Sequence, residues 1–132
     1  MRVACTTDSG RDLSADHFAK GYSASSSFDL TPGKEYVVYG ISLWRGLLLY
    51  LILGEGQRPA WYPAELFSVT RSEIPSGWYF AFFSPKDGAG LSGVWGYDEL
   101  VNREGYFDML AELDREAAEV FERRRMLIDE VS

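Results

Sequence analysis

Only a few residues of this chain have the type and spacing that enzyme chemistry requires. His17 is the single histidine, and it lies in a segment of small polar residues where a general base has no fixed neighbour within hydrogen-bond reach. Cys5 is the single cysteine, so it can form neither an internal disulfide nor a zinc site, and we expect a buried thiol. The sequence predicts that His17 is a solvated surface side chain and that neither residue is catalytic.

Two further patterns suggest ligand binding but are better explained by local structure. Asp8, Asp12 and Asp16 recur every four residues, yet the segment lacks the long loop closed by a glutamate that binds calcium. The run Thr-Pro-Gly-Lys at residues 31–34 leads into a strand and lacks the pattern of a phosphate-binding loop, so it predicts a turn. We therefore expect no enzyme activity, no metal and no cofactor.

The negative charge of the chain is concentrated near its C-terminus. Twenty acidic residues face 13 basic ones, a formal net charge of -7, and residues 98–132 hold 11 of the acids but five of the bases. Such a chain repels nucleic-acid phosphates and anionic lipids and favours basic partners. We expect a basic protein partner, with neither nucleic acid nor a membrane.

Four of these acids have the spacing of one helix face. Asp108, Glu112 and Glu116 follow one another at four-residue intervals, and Glu119 lies three residues further on. Like charges at this spacing cost a helix ~0.2–0.5 kcal/mol per pair. The row is therefore either an ordinary solvated face or a docking surface for a basic partner.

Aromatic residues offer an alternative binding surface. Tryptophans recur at positions 44, 61, 78 and 95, which matches strand-and-turn units of similar length better than a true repeat. Trp44, Trp61, Tyr62 and Trp78 would form a groove for proline-rich segments if the fold brought them together.

Length and composition predict one domain over residues 1–132, with enough hydrophobic residues, 46%, to bury a core. The longest apolar run, residues 47–53, is much shorter than the ~20 residues of a membrane-spanning helix and predicts a buried strand. The single cysteine and the absence of a leader-like start favour a cytoplasmic location.

The spacing of turn residues divides the chain into three zones. Residues 1–29 predict a strand over 2–6 and a mobile serine-rich loop over 7–28. Residues 30–97 predict an antiparallel meander, because apolar and aromatic runs alternate with Gly- or Pro-containing turns. Its expected strands are 34–41, 47–54, 60–62, 66–71, 78–84 and 91–96, with turns at 42–46, 54–59, 72–77 and 85–90.

The third zone, residues 98–132, predicts helices. After a helical turn at 98–101, apolar residues recur at helical spacing over 106–129 without Pro or Gly, which indicates one long amphipathic helix. The sequence thus predicts an α+β fold, a strongly bent antiparallel sheet with this helix packed on it. Leu49 and Leu51 should both be more than about 90% buried, one on the inner side of the sheet and one beneath the helix.

Residues 30–41, LTPGKEYVVYGI, and residues 62–69, YPAELFSV, resemble the "LTxGKxYxVxGI" and "YPxELFxV" runs of small bacterial SH3-like domains. With residues 74–78 and an acidic C-terminal helix, the whole chain is similar to immunity proteins of contact-dependent or polymorphic toxin systems. The resemblance implies an SH3-like half-barrel. It also implies a stoichiometric inhibitor that blocks the active site of a toxin domain or a nearby exosite, but it carries over no individual functional residue.

This resemblance agrees with the charge of the chain. Nuclease toxins need basic surfaces for their substrate, and an acidic inhibitor is steered towards such surfaces. The alternative is an SH3-like peptide- or protein-binding adaptor that uses the aromatic groove. Binding of a neutral ligand there would depend little on salt, which separates the two hypotheses.

Overall fold

The computed structural model describes residues 1–84 and 90–132 and contains two antiparallel sheets followed by helices. Besides 3₁₀ turns at Gly10–Asp12 and Ala64–Leu66, its elements are β1 (Arg2–Cys5), α1 (Ala15–Phe18), β2 (Glu35–Val37), β3 (Gly40–Trp44), β4 (Leu47–Leu53), β5 (Pro59–Pro63), β6 (Phe67–Arg71), β7 (Tyr79–Phe82), β8 (Leu91–Gly96), α2 (Asp98–Asn102), α3 (Tyr106–Ala111) and α4 (Arg115–Val131).

The strands form a sheet of order β2-β1-β6 and a sheet of order β5-β4-β3-β8-β7. The predicted meander therefore holds only for β3, β4 and β5, because β6 pairs with β1 and β8 returns to pair with β3. Within the described residues both sheets keep two open edges, so neither closes into a barrel. The α+β class is confirmed. The predicted turn at 85–90 lies outside the described residues except for Gly90.

The predicted strand over 34–41 is in fact two strands in different sheets. β2 pairs with β1, whereas β3 pairs with β4 and β8. Val38 and Tyr39 lie between them and are both buried, Val38 in one hydrophobic core and Tyr39 in the other. The chain changes sheets here because each of these two neighbours packs into a different core.

The two cores lie on opposite faces of β4. Tyr50 and Ile52 pack against the three-stranded sheet and the N-terminal segment, while Leu51 packs against the helices. Leu49 and Leu51 are 5% and 1% exposed, which confirms their predicted burial. Their predicted placement on opposite sides is wrong, because side chains two residues apart in a strand point to the same face.

Residues 7–28, predicted as a mobile loop, are folded into short elements. The Gly10 amide donates to the Ser26 carbonyl (2.8 Å), and the Phe28 amide donates to the Asp8 carbonyl (2.9 Å). A Cβ at position 10 would lie 2.0 Å from the Ser23 carbonyl oxygen, so only glycine permits this approach. Buried Leu13 anchors the segment to the core.

The predicted single helix over 106–129 is interrupted between Ala111 and Arg115. Leu113 has a left-handed φ of 56°, and the Asp114 carboxylate accepts hydrogen bonds from the amides of Glu116 (3.1 Å) and Ala117 (3.3 Å). This cap starts α4 as a separate helix. The periodicity of the apolar residues continues across the break, which is why the pattern alone predicted one helix.

Candidate functional site

The break between α3 and α4 separates the four acidic residues predicted to share one helix face. Asp108 lies in α3, Glu112 is its C-cap, and Glu116 and Glu119 belong to α4. Glu116 forms an ion pair with Arg103 (2.8 Å) and Glu119 one with Arg115 (3.4 Å). The four residues therefore form no single unpaired row. Further along α4, Glu122 forms an ion pair with Arg125.

A concave site lies next to the two unpaired members of this set. We call it the acidic pocket; its volume is about 480 Å³, and β3, β8, α2 and α3 contribute to it. Its lining is apolar in the interior and polar at the rim. The lining residues are Trp44, Phe83, Leu91, Val94, Leu100, Val101, Asn102, Arg103, Glu104, Gly105, Phe107 and Asp108.

The acidic pocket exists because the chain turns sharply between α2 and α3. Gly105 adopts a φ of 77°, which non-glycine residues rarely adopt, and it directs Tyr106 into the core. The Tyr106 hydroxyl lies 2.6 Å from the Tyr97 hydroxyl and donates to the Ala117 carbonyl (3.2 Å). Burial raises the pKa of Tyr106 to about 12, so the hydroxyl keeps its proton and links α3 to α4.

A second link holds α2 in place. The Arg124 guanidinium donates two hydrogen bonds to the Glu99 carboxylate, at 2.6 and 3.1 Å. These hydrogen bonds lower the pKa of Glu99, so the carboxylate is charged at neutral pH. Both pocket helices are therefore held to α4, α2 by the ion pair and α3 by the Tyr106 hydroxyl.

The rim of the acidic pocket carries net negative charge. Arg103 is neutralised by Glu116, while Glu104, Asp108 and the adjacent Glu112 have no ion-pair partner within residues 1–84 and 90–132. An apolar interior below exposed carboxylates fits a lysine or arginine side chain, whose methylene stem is apolar and whose head is cationic. Sequence reasoning missed the role of Glu104, because its proximity to Asp108 depends on the turn at Gly105.

The four residues of the predicted aromatic groove lie in separate places. Trp44 lines the acidic pocket, and Trp61 stacks on Phe107 with ring centroids 5.2 Å apart. Tyr62 is buried in the core beneath the other face of the sheet, because neighbouring residues of β5 point in opposite directions. Trp78 borders a different groove, between residues 73–78 and α4. The structure therefore does not bring these side chains into one groove.

His17 is 2% exposed, so the prediction of a solvated side chain is wrong. Its Nδ1 lies 2.7 Å from the Ser14 hydroxyl and its Nε2 lies 2.9 Å from the Glu65 carboxylate. In a Ser-His-Asp triad the carboxylate binds Nδ1 and the nucleophile binds Nε2. Here the serine is at Nδ1 and the carboxylate at Nε2, so the arrangement is not that of a triad. The three residues instead connect the N-terminal segment to the turn after β5.

Cys5 is buried, as predicted, and its thiol donates to the Thr7 carbonyl (3.3 Å). Burial raises the pKa of this thiol, which disfavours the reactive thiolate. Within the described residues, no group of three or more His, Cys, Asp or Glu side chains is placed to hold a metal ion.

No helix in the described part of the chain is long and apolar enough to cross a bilayer. A comparison of the chain with protein-family models, with curated proteins and with solved structures found no match.

Proposed function

We propose that this protein is a stoichiometric inhibitor, an immunity protein that neutralises a basic, nuclease-like bacterial toxin domain by binding it. The acidic pocket and the adjacent carboxylates are the proposed contact surface. The observation that carries the proposal is the set of three exposed carboxylates, Glu104, Asp108 and Glu112, next to an apolar interior; none of the three has a cationic partner among residues 1–84 and 90–132. The resemblance of residues 30–69 to SH3-like domains is part of the same proposal.

Electrostatics support this choice of partner. Carboxylates that already hold an arginine gain little from a new cation, whereas these three gain attraction only when a basic surface approaches. A lysine or arginine of the partner would place its stem against residues such as Leu100 and Phe107. Such contacts raise the association rate and lose strength as salt screens the charges beyond about 8 Å.

We infer further that inhibition needs no catalysis by this chain. The Ser14, His17 and Glu65 group is the arrangement closest to a catalytic one, and its residues do not line the acidic pocket. Replacing Ser14 by alanine should therefore leave inhibition of the toxin unchanged. Loss of inhibition by a folded Ser14→Ala variant would contradict a purely stoichiometric mechanism.

The test combines Asp108→Asn with Glu112→Gln and measures association rates at low and high salt with a basic toxin domain that co-purifies with this chain when adjacent genes are expressed with it. Neither replacement removes an ion pair of the described structure, so folding should be unaffected, while association at low salt should slow roughly tenfold. The control, Asp12→Asn with Asp16→Asn, makes the same change in net charge at exposed residues of the N-terminal segment.

Equal slowing by both double variants would mean that only net charge matters and would contradict a local interface. Association that is unaffected by salt and by either variant would contradict a basic partner at this surface.

A further inference from the structure

The edge strand β7 carries exposed aromatic side chains, and Phe80 and Phe82 point to the sheet face opposite to Val94 of the acidic pocket. Tyr79, Phe80 and Phe82 of β7 are 51%, 54% and 72% exposed. Residues 74–84 contain no charged side chain, in a chain in which 25% of residues are charged. Edge strands of natural proteins are usually shielded by charges, prolines or covering segments, so an uncharged aromatic edge indicates a pairing surface.

The side chains of this edge extend an apolar sheet face. The register places Phe80 opposite Trp95 and Phe82 opposite Gly93, with Leu43 beyond Gly93. The same face is covered by the three-stranded sheet and the N-terminal segment at its β4 and β5 end, where Tyr50 packs. At the β7 end, no strand or helix of the described residues covers it.

The backbone of β7 also offers hydrogen-bonding groups at this edge. The Phe83 amide donates to the Ser92 carbonyl (2.9 Å), and hydrogen-bonded pairs alternate along an antiparallel ladder. Tyr79 and Ala81 therefore bond to β8, and the amides and carbonyls of Phe80 and Phe82 point outward. No other strand of the described chain pairs with this edge.

We propose that the β7 edge binds the β7 edge of a second copy of this chain, antiparallel, with the two-fold axis at Ala81. In this register Phe80 of one copy lies opposite Phe82 of the other. Each copy thus supplies hydrogen-bond partners for the outward-pointing amides and carbonyls of the other. The four phenylalanines then form one cluster on the open face, and the five-stranded sheets join into one sheet.

Charge favours a second copy as the occupant. Two chains with a net charge of -7 repel each other over most of their surface, and the uncharged stretch 74–84 is a place where they can meet without opposing like charges. A basic partner, by contrast, gains no attraction from this stretch.

The contact area predicts how strong this dimer is. At ~150–250 Å² per aromatic side chain, the exposed fractions of the three aromatic residues amount to roughly 300–400 Å² per copy. Ile74, Leu127 and Val131 border the neighbouring groove and add apolar area. The aromatic side chains alone thus bury roughly 600–800 Å² over both copies, less than the about 1,200 Å² at the lower end of stable interfaces, which predicts a weak dimer that dissociates on dilution.

Sedimentation velocity over a wide concentration range tests the proposal. The wild type should shift from monomer to dimer as concentration rises, and Phe82→Lys should weaken the dimer roughly a hundredfold or more, because it removes apolar area twice per dimer and adds like charges. The control is Val69→Lys, an exposed residue on β6, the edge of the other sheet, which should leave the dimer unchanged. Circular dichroism checks that both variants fold.

A cysteine variant tests the register independently. Ala81 of each copy would form a non-hydrogen-bonded pair with Cα atoms ~4.5 Å apart, within the range that a disulfide spans. Ala81→Cys should therefore give a covalent dimer under mild oxidation, and Val69→Cys should not. A wild type that stays monomeric at all concentrations, a dimer insensitive to Phe82→Lys, or a dimer that Ala81→Cys does not cross-link would overturn the proposal.

Discussion

The hydrogen-bonded group of Ser14, His17 and Glu65 fastens the N-terminal segment to the turn that follows β5. His17 provides the link because its ring is buried while both nitrogens reach polar partners, which a buried imidazole requires. Its edge also lies against Tyr22, with ring centroids 6.0 Å apart. A histidine in a polar segment is thus a structural anchor of the fold.

At the residue scale we expect His17→Ala to lower the free energy of unfolding by about 2–4 kcal/mol, because it leaves a cavity and removes two hydrogen bonds. Urea denaturation measures the change. The neighbouring exposed Asp16→Ala is the control and should stay within about 0.5 kcal/mol of the wild type. Unchanged stability of His17→Ala would show that the anchor does not form in solution.

Among the secondary-structure elements, the ion pair of Glu99 with Arg124 joins α2 to α4 beside the acidic pocket. The pKa of Glu99 is lower in the folded chain than in the unfolded one, chiefly because Arg124 donates to its carboxylate. The pair therefore stabilises the fold above the unfolded-state pKa of about 4.3 and loses its effect as pH falls through the lower folded-state value.

We accordingly expect Glu99→Gln to reduce the free energy of unfolding at neutral pH, by no more than about 1 kcal/mol because the pair is partly solvated. The difference from the wild type should vanish in acid. Denaturation at a series of pH values measures it. Glu130→Gln, which replaces an exposed carboxylate of α4, is the control and should stay within about 0.5 kcal/mol of the wild type at neutral pH. A difference of Glu99→Gln that persists at low pH would rule out the ion pair as its cause.

At the scale of the whole molecule, β4 separates two hydrophobic cores and is the strand on which both depend. Leu49→Ala should therefore cost on the order of 2–5 kcal/mol of unfolding free energy, measured by denaturant titration. Leu48→Ala, at a more exposed position of the same strand, is the matched control and should cost much less. If both variants lost the same free energy of unfolding, the Leu49 side chain would have to be as open to solvent as that of Leu48.

Features that depend on neighbouring residues were predictable from the sequence. Local preferences of the chain are visible in the continuous apolar run of β4, in the turns rich in Gly and Pro, and in the helical composition after residue 98. These patterns predicted the α+β class and the burial of Leu49 and Leu51. The concentration of acidic residues near the C-terminus is likewise a property of composition.

Features that join distant segments were decided only by tertiary structure. The division of residues 34–41 between two sheets, the break at Leu113 and the burial of His17 against Glu65 each depend on what packs from another part of the chain. The acidic pocket depends in the same way on a turn that brings Glu104 beside Asp108. Periodicity and composition indicate which face of a helix or strand is buried. Which distant segment packs against that face is decided by long-range packing.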